Sequence, residues 1–349
     1  MVKNNEDTSK IVMDTHTHSY FSDGVWSPRG LVREAKLRGL KVIALTDHDT
    51  MLGVPEAIRA GKEFGVKVIP GIEIGADYRK GNVFVCGMEL VGLNMDIEKI
   101  KPFTDMIAGL RTDQVQKYVD NFGEYIRHPD FEEQNWKKRY PLASAEPLDA
   151  GRIIAWKSKI KGCENPAPFV LSWDMIDYLL ENRMGRNAAV KKALAASDSG
   201  DREEIKKEYL FIFEGSDITP PHAYDVISAV KKAGGKSFIA HPGLSSYYRE
   251  GMEKEWRRPE SEWLSDETKE FTPYKLVKDL KKHGLDGVEL SNYAGKGDQH
   301  GPEEETINKY FSKLSEKLGL IVTYGSDCHG PRKKGPMIGI FGSKKIIDL

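Results

Sequence analysis

Ile11-Val12-Met13-Asp14-Thr15-His16-Thr17-His18-Ser19 joins a short apolar run to two histidines two positions apart. Alternate side chains of an extended segment share one face, so both imidazoles point the same way at a strand end. Two lone pairs brought together in this way suit a metal ion. Histidine serves hydrogen-bonding and surface roles as readily, so the pair takes its meaning from what the rest of the chain supplies.

Outward from this stretch, β-type runs alternate with helix-like ones. Residues 11–14 precede a helix-like segment, 27–38, with Ser27 as N-cap and Pro28 as the first helical residue. Residues 42–46 precede the helix-like 54–64. Residues 66–69 follow and end at Pro70-Gly71-Ile72-Glu73; 83–86 and 90–93 then form a two-part β stretch. The rhythm resumes at 237–240, which ends in His241. Residues 287–290 follow a helix-like 273–283, and 321–324 follow a helix-like 303–318 and lead into Gly325-Ser326-Asp327. This alternation predicts parallel strands with crossover helices. About seven units suit a closed α/β barrel better than a short open sheet.

The interruption, residues 94–221, is rich in charge and in helix formers, as in 172–181, 187–196 and 202–210. It predicts a mostly helical insertion over one end of the barrel, with an aperiodic middle at 127–168. The barrel would then be discontinuous, residues 1–93 and 222–349, with 94–221 contributing to the substrate pocket. A second irregular segment, 244–271, carries Tyr247, Tyr248, Trp256 and Trp263 among charges; a loop of that length is commonly functional or disordered.

The residues just past each strand carry the chemistry. His16 and His18 follow the first, with Asp23 on the next loop; Thr46-Asp47-His48-Asp49 follows the second, and the third ends in Glu73. His241-Pro242 follows the fifth, and Asp327-Cys328-His329 the seventh. Strand C-termini of a parallel barrel open on one face, where active sites are built. Each member has a plain alternative: Asp47 or Asp49 as a helix N-cap, Asp23-Gly24 as a turn. Jointly they are harder to dismiss, because five of the nine histidines stand past strands. The other four, His128, His222, His283 and His300, read as structural or surface residues. A polynuclear site of histidines and carboxylates suits Zn²⁺, Mn²⁺ or Fe²⁺. Cys328 is directed away from it by strand alternation. Clustered cations about 3.5–4 Å apart serve in-line phosphoryl chemistry, which makes phosphoester hydrolysis the first reaction class and amide or lactam hydrolysis the second.

Composition is that of an ordinary globular chain. Of 349 residues, 52 are basic and 53 acidic, giving a net charge of −1 that offers no overall basic surface for nucleic acid. Residues 1–10 lack the apolar centre of a secretory leader, no run is apolar enough to span a bilayer, and Cys86, Cys163 and Cys328 form no disulfide framework. A cytoplasmic enzyme without membrane attachment is the expectation; oligomeric state is not legible.

Asp14-Thr15-His16-Thr17-His18-Ser19, Asp23-Gly24, Thr46-Asp47-His48-Asp49, Pro70-Gly71-Ile72-Glu73, Ala240-His241-Pro242-Gly243 and Gly325-Ser326-Asp327-Cys328-His329-Gly330 together resemble the PHP (polymerase and histidinol phosphatase) superfamily. Pro55-Glu56-Ala57 and Leu90-Val91-Gly92-Leu93-Asn94 resemble its stand-alone nucleotide phosphoesterases. Members of that branch remove the 3′-phosphate of nucleoside 3′,5′-bisphosphates, and some degrade short single-stranded RNA from the 5′ end. The resemblance implies a distorted (β/α)7 barrel with two to three divalent metals. By position, His16, His18, Glu73 and Asp327 would hold the first metal. Glu73 would bridge to a second, shared with His241, and Asp23, His48 and His329 would hold the third. Glu89 stands ahead of Gly92-Leu93 where the family usually has histidine, and it is counted with the ligands; an anion there lowers the site's net charge. Glu73, His241 and Asp327 would be the catalytic set. Arg111 and Arg186 fall where the branch has phosphate-binding arginines, and a guanidinium meets phosphate oxygens in pairs. A histidinol-phosphatase-like phosphomonoesterase, and a metal-bound barrel serving as an interaction module, are the alternatives.

Overall fold

The computed structural model describes residues 10–138, 141–161, 169–184, 204, 207–215, 218–243, 256–267, 271–291, 304–331 and 337–349. One sheet runs in sequence order: β1 (Met13–Asp14), β2 (Val42–Leu45), β3 (Lys67–Lys80), β4 (Val83–Leu93), β5 (Lys236–Ile239), β6 (Gly287–Ser291) and β7 (Ile321–Gly325). Its two edges approach each other. Thr15 N donates to Tyr324 O at 3.1 Å, Asp327 N donates to His16 O at 2.9 Å, and Thr17 bridges to Cys328. The result is a nearly closed seven-stranded α/β barrel, the expected class.

One expectation needs correction. Strands β1–β2, β2–β3, β5–β6 and β6–β7 pair in parallel, but β4 is antiparallel to both its neighbours. Only Gly81 and Asn82 separate β3 from β4, and a parallel crossover needs a dozen residues or more. Gly81, at φ 56, supplies the left-handed position of this two-residue hairpin. β3 therefore does not stop near residue 69: it continues for 14 residues, with a register shift between Ala76 and Tyr78. Glu73 lies inside it, opposite Val91, and Glu89 on β4 lies opposite Gly75.

Helices α1 (Pro28–Leu37) and α2 (Val54–Phe64) follow β1 and β2. Ser27 caps α1 as read, its Oγ accepting from Gly30 N at 3.0 Å, and Leu31, Val32 and Ala35 turn inward. After β4 come α3 (Ile97–Arg127), α4 (Phe131–Trp136), α5 (Ala150–Lys161) and α6 (Ser172–Asn182); α7 (Ala223–Lys232), α8 (Pro273–Lys282) and α9 (Glu304–Leu318) precede β5, β6 and β7. Met13, Val42, Ala44, Ile69, Val91, Leu93, Phe238 and Ala240 form a barrel core.

The chain divides into two compact units, Met1–Asp105 with Pro220–Leu349, and Met106–Thr219. The second has its own core, in which Val115, Tyr118 and Phe122 of α3 join Ile153 of α5 and Ile176, Leu179 and Leu180 of α6. Helices α4 and α5 occupy the stretch read as aperiodic, anchored by Phe131 and Ile153. Residues 187–196 lie outside the described residues, as do 202, 203, 205 and 206. Among the described residues no helix is long and apolar enough to cross a membrane.

Candidate metal centre

Three buried carboxylates shape the loops at the barrel mouth. Asp14 accepts from His16 N (3.2 Å), Ser326 N (3.0 Å) and Ser326 Oγ (2.6 Å), tying the end of β1 to the end of β7. Burial pushes its pKa up to about 7 against the opposing pull of these bonds. Asp47 is not a helix cap, since the N-cap of α2 is Gly53. It accepts instead from Ser19 N (2.6 Å), Ser19 Oγ (2.7 Å) and Ser22 Oγ (2.9 Å), fixing the loop that carries Asp23. Gly24 lets that loop fold back: a Cβ there would lie 2.5 Å from the His18 carbonyl oxygen. Glu289, from the middle of β6, accepts from His16 Nδ1 and from His241 N.

The mouth strains the backbone. Asp49, His241 and Asp327 are non-glycine residues at positive φ (57°, 25° and 54°), a sparsely populated region that recurs at functional sites.

All nine predicted ligands belong to one cluster. Three groups have potential ligand atoms within 4.8 Å of one another: His18, Asp23, His48 and His329; His16, Glu73, His241 and Asp327; and His48, Glu73 and Glu89. The groups overlap. His16 Nε2 lies 3.0 Å from both His18 Nε2 and Glu73 Oε2 and 3.3 Å from Asp327 Oδ1. His18 Nε2 lies 2.8 Å from Asp327 Oδ1 and 3.2 Å from Glu73 Oε2, so the four residues that the resemblance implied for the first metal also converge. Cys328 is buried, lies in none of the groups, and has its thiol pKa pushed up to about 12, chiefly by burial.

Glu73 is the junction. Its Oε2 lies 3.0 Å from His16 Nε2 and 3.2 Å from both His18 Nε2 and His48 Nδ1, and its Oε1 lies 2.9 Å from His241 Nε2. Burial alone would raise its pKa, but the surrounding imidazoles, His16 foremost, hold it well below the usual carboxylate range. His18 follows the converse logic: burial opposes its charge, yet Asp327 and Glu73 raise its pKa to about 10. Asp23 is likewise held low by His329, His48 and His18 against the effect of burial, whereas burial wins at His48 and lowers it.

The residues fit a metal. Glu73 Oε2 is sealed from solvent and makes no well-aligned hydrogen bond despite three nitrogens within 3.2 Å. His16 Nε2 and His18 Nε2 face each other at 3.0 Å, where two imidazoles can share only one proton. Nitrogen and carboxylate donor atoms converging this closely suit a cation between them, and the imidazole and carboxylate donor set is that of Zn²⁺, Mn²⁺ and Fe²⁺. The open side is lined by Glu89, Asp23, His48 and His329, whose side chains are 27%, 17%, 15% and 15% exposed; those of His16, His18 and Glu73 are fully sealed.

Arg111, on α3, donates to Gln114 Oε1 at 2.9 Å and lies 4.8 Å over the Phe169 ring. Arg186 lies outside the described residues. Glu289 was missed by sequence reasoning. Its one signal was an acidic residue within Gly287-Val288-Glu289-Leu290-Ser291, a strand whose every residue is buried. Of the histidines set aside, His222 caps α7, His283 stacks on Tyr224 at 3.6 Å, His128 is exposed, and His300 lies outside the described residues.

The family model for the PHP domain matches residues 14–162, which include six of the nine clustered residues. A phosphoribosyl 1,2-cyclic phosphate 1,2-diphosphodiesterase of Eggerthella lenta is 36% identical over 335 residues, covering 94% of this chain and 98% of its own. The chain belongs to the PHP family. Two further relatives of this PHP protein are a 5′-3′ exoribonuclease of Haemophilus influenzae, 28% identical with 91% and 90% covered, and a 3′,5′-nucleoside bisphosphate phosphatase of Chromobacterium violaceum, 23% identical with 94% and 90% covered. Phosphoester hydrolysis is common to the three, and it is the activity class of this PHP chain.

A metal must displace protons here. His18, with its pKa near 10, is charged at pH 7 in the metal-free protein, whereas a ligating imidazole is neutral. Calorimetric titration with Zn²⁺ at pH 7, in buffers of differing ionisation heat, is expected to reveal net proton release and an affinity that rises with pH. Binding without proton release would contradict this electrostatic reading.

Proposed function

We propose that this PHP protein hydrolyses a phosphomonoester of a small nucleotide, converting a nucleoside 3′,5′-bisphosphate into the 5′-nucleotide and phosphate. In this reading two to three divalent cations (Mn²⁺, Fe²⁺ or Zn²⁺) are held by His16, His18, Asp23, His48, Glu73, Glu89, His241, Asp327 and His329. The observation that carries it is Glu73, one buried carboxylate shared between two groups of converging ligand atoms. Cations clustered in this way lower the pKa of a bound water and neutralise charge on a phosphoryl group.

The chain's own residues supply the rest. Glu73 couples the two groups and is fixed by β3 rather than by a loop. His241 and Asp327, both held at positive φ, are the groups we assign to proton transfer beside the reacting phosphate. The more exposed Glu89, Asp23, His48 and His329 form the entry side. Arg111 and Arg186 are assigned to the substrate's second phosphate. For Arg111 the support is its place in the family pattern and a guanidinium already oriented by Gln114 and Phe169.

A second reading has its own support: the relative named for a phosphoribosyl 1,2-cyclic phosphate shares 36% identity with this chain, against 28% and 23% for the two named for RNA and a nucleoside bisphosphate. A cyclic phosphodiester or short RNA therefore stands beside the nucleoside bisphosphate.

Protein reconstituted with Mn²⁺ is expected to release inorganic phosphate from nucleoside 3′,5′-bisphosphate, and Asp327→Ala to abolish turnover. A silent wild type on this substrate, with activity on a cyclic phosphodiester, would transfer the assignment to the second reading. Silence on both, with short RNA and sugar phosphates also unreacted, would overturn the enzyme reading. Arg186→Ala is expected to raise KM about tenfold or more with a smaller change in kcat, the signature of lost ground-state binding; an unchanged KM on the best substrate would remove Arg186 from the site.

A further inference from the structure

Among the described residues, β6 is the one barrel strand that brings no side chain, in itself or just past its end, to the three ligand groups. It brings Glu289 to their back instead. This side chain is 1% exposed, and both its oxygens face His16 Nδ1, at 3.1 and 3.0 Å. The same Oε1 accepts from the backbone N–H of His241 at 3.2 Å. Glu289 thus touches one ligand through its ring and another through its main chain, and it is itself no member of the ligand groups.

The space for it is specific. A Cβ on Gly325 would lie 2.3 Å from Glu289 Oε2 and 2.4 Å from His16 Cβ, so glycine at the end of β7 is what lets the carboxylate and the imidazole meet. The consequence is directional. With Nδ1 turned to an acceptor-only carboxylate, the proton of a neutral His16 sits on Nδ1, and Nε2 presents its lone pair towards Glu73, His18 and Asp327 at 3.0, 3.0 and 3.3 Å. Held by its N–H at φ 25°, His241 aims Nε2 at Glu73 Oε1 from the other side.

We propose that Glu289 is a positioning residue of the metal centre. It fixes the tautomer and ring orientation of His16 and the strained backbone of His241, so that both present nitrogen lone pairs to a cation shared through Glu73. The inference rests on the metal-centre reading given above. Carboxylates behind ligating histidines raise ligand basicity, and losing one typically costs about 10–100-fold in metal affinity.

The test is Glu289→Gln in the full chain. The variant keeps the shape of the side chain and removes its charge. Zn²⁺ affinity by chelator competition, on protein verified as folded by circular dichroism, is expected to fall about 10–100-fold. Nitrogen-15 NMR of the zinc-loaded wild type is expected to place a slowly exchanging proton on His16 Nδ1, with that protection lost in the variant; a purely structural role for Glu289 would leave this signal in place. Should Glu289→Gln not fold, Glu289→Asp keeps the charge but withdraws it by one methylene, and a smaller loss in the same direction is expected. A folded variant with wild-type affinity and an unchanged His16 signal would overturn the inference while leaving the metal centre standing. A wild type that captures no Zn²⁺ would overturn both.

Discussion

A carboxylate sealed from water in the middle of a barrel mouth is the constraint on which this structure turns. Glu73 has imidazole nitrogens of His16, His18, His48 and His241 within 3.2 Å and no water to solvate it. A buried anion without compensating charge costs several kcal/mol, on the order of 3–5 when a partner is removed, so every element around Glu73 must deliver positive charge or a hydrogen-bond donor to it. Protonated histidines do this in the metal-free chain, and cations would do it in the loaded one. The same arithmetic explains why the ligands come from so many strands. No single loop can surround one carboxylate with four rings.

The fold meets this constraint through its irregularities. Because β3 continues beyond the barrel and returns as β4, Glu73 sits on a strand backbone held on one side by the β4 ladder rather than on a loop tip. Its neighbour two residues along that ladder, Gly75, faces Glu89, which closes the third group. At the ends of β5 and β7, where the chain must turn side chains back into the mouth, His241 and Asp327 accept positive φ. Around them a second layer of carboxylates, Asp14, Asp47 and Glu289, holds main-chain N–H groups and serine hydroxyls so that the strain is locked in place. Stability and site geometry are here the same set of hydrogen bonds.

Much of this was legible in the sequence because the relevant signals are local. Apolar runs ending in His-x-His, Asp-His-Asp or Asp-Cys-His report strand ends directly, and Ser27-Pro28 reports the start of α1. The reversal of β4 escaped because a two-residue Gly81-Asn82 turn between β-rich stretches carries less weight than the strand–helix rhythm around it. How the rings meet is not a local signal. Rings from separate strands stack across the mouth, His18 against His329 and His48, and His16 against His241. Glu289 was invisible for a related reason. A glutamate inside a strand looks like an exposed edge residue until Gly325, 36 positions later, is seen to make room for it.

If Glu73 is the shared ligand of a multinuclear centre, the number of metals bound depends on it more than on any other residue. Elemental analysis of the full chain after Mn²⁺ or Zn²⁺ reconstitution and exhaustive dialysis measures this directly. At least two metals per wild-type chain are expected, with the count falling by more than one in Glu73→Gln, because two ligand groups lose their common member. Fewer than one metal per wild-type chain, or a Glu73→Gln variant that retains the wild-type count, would contradict the account.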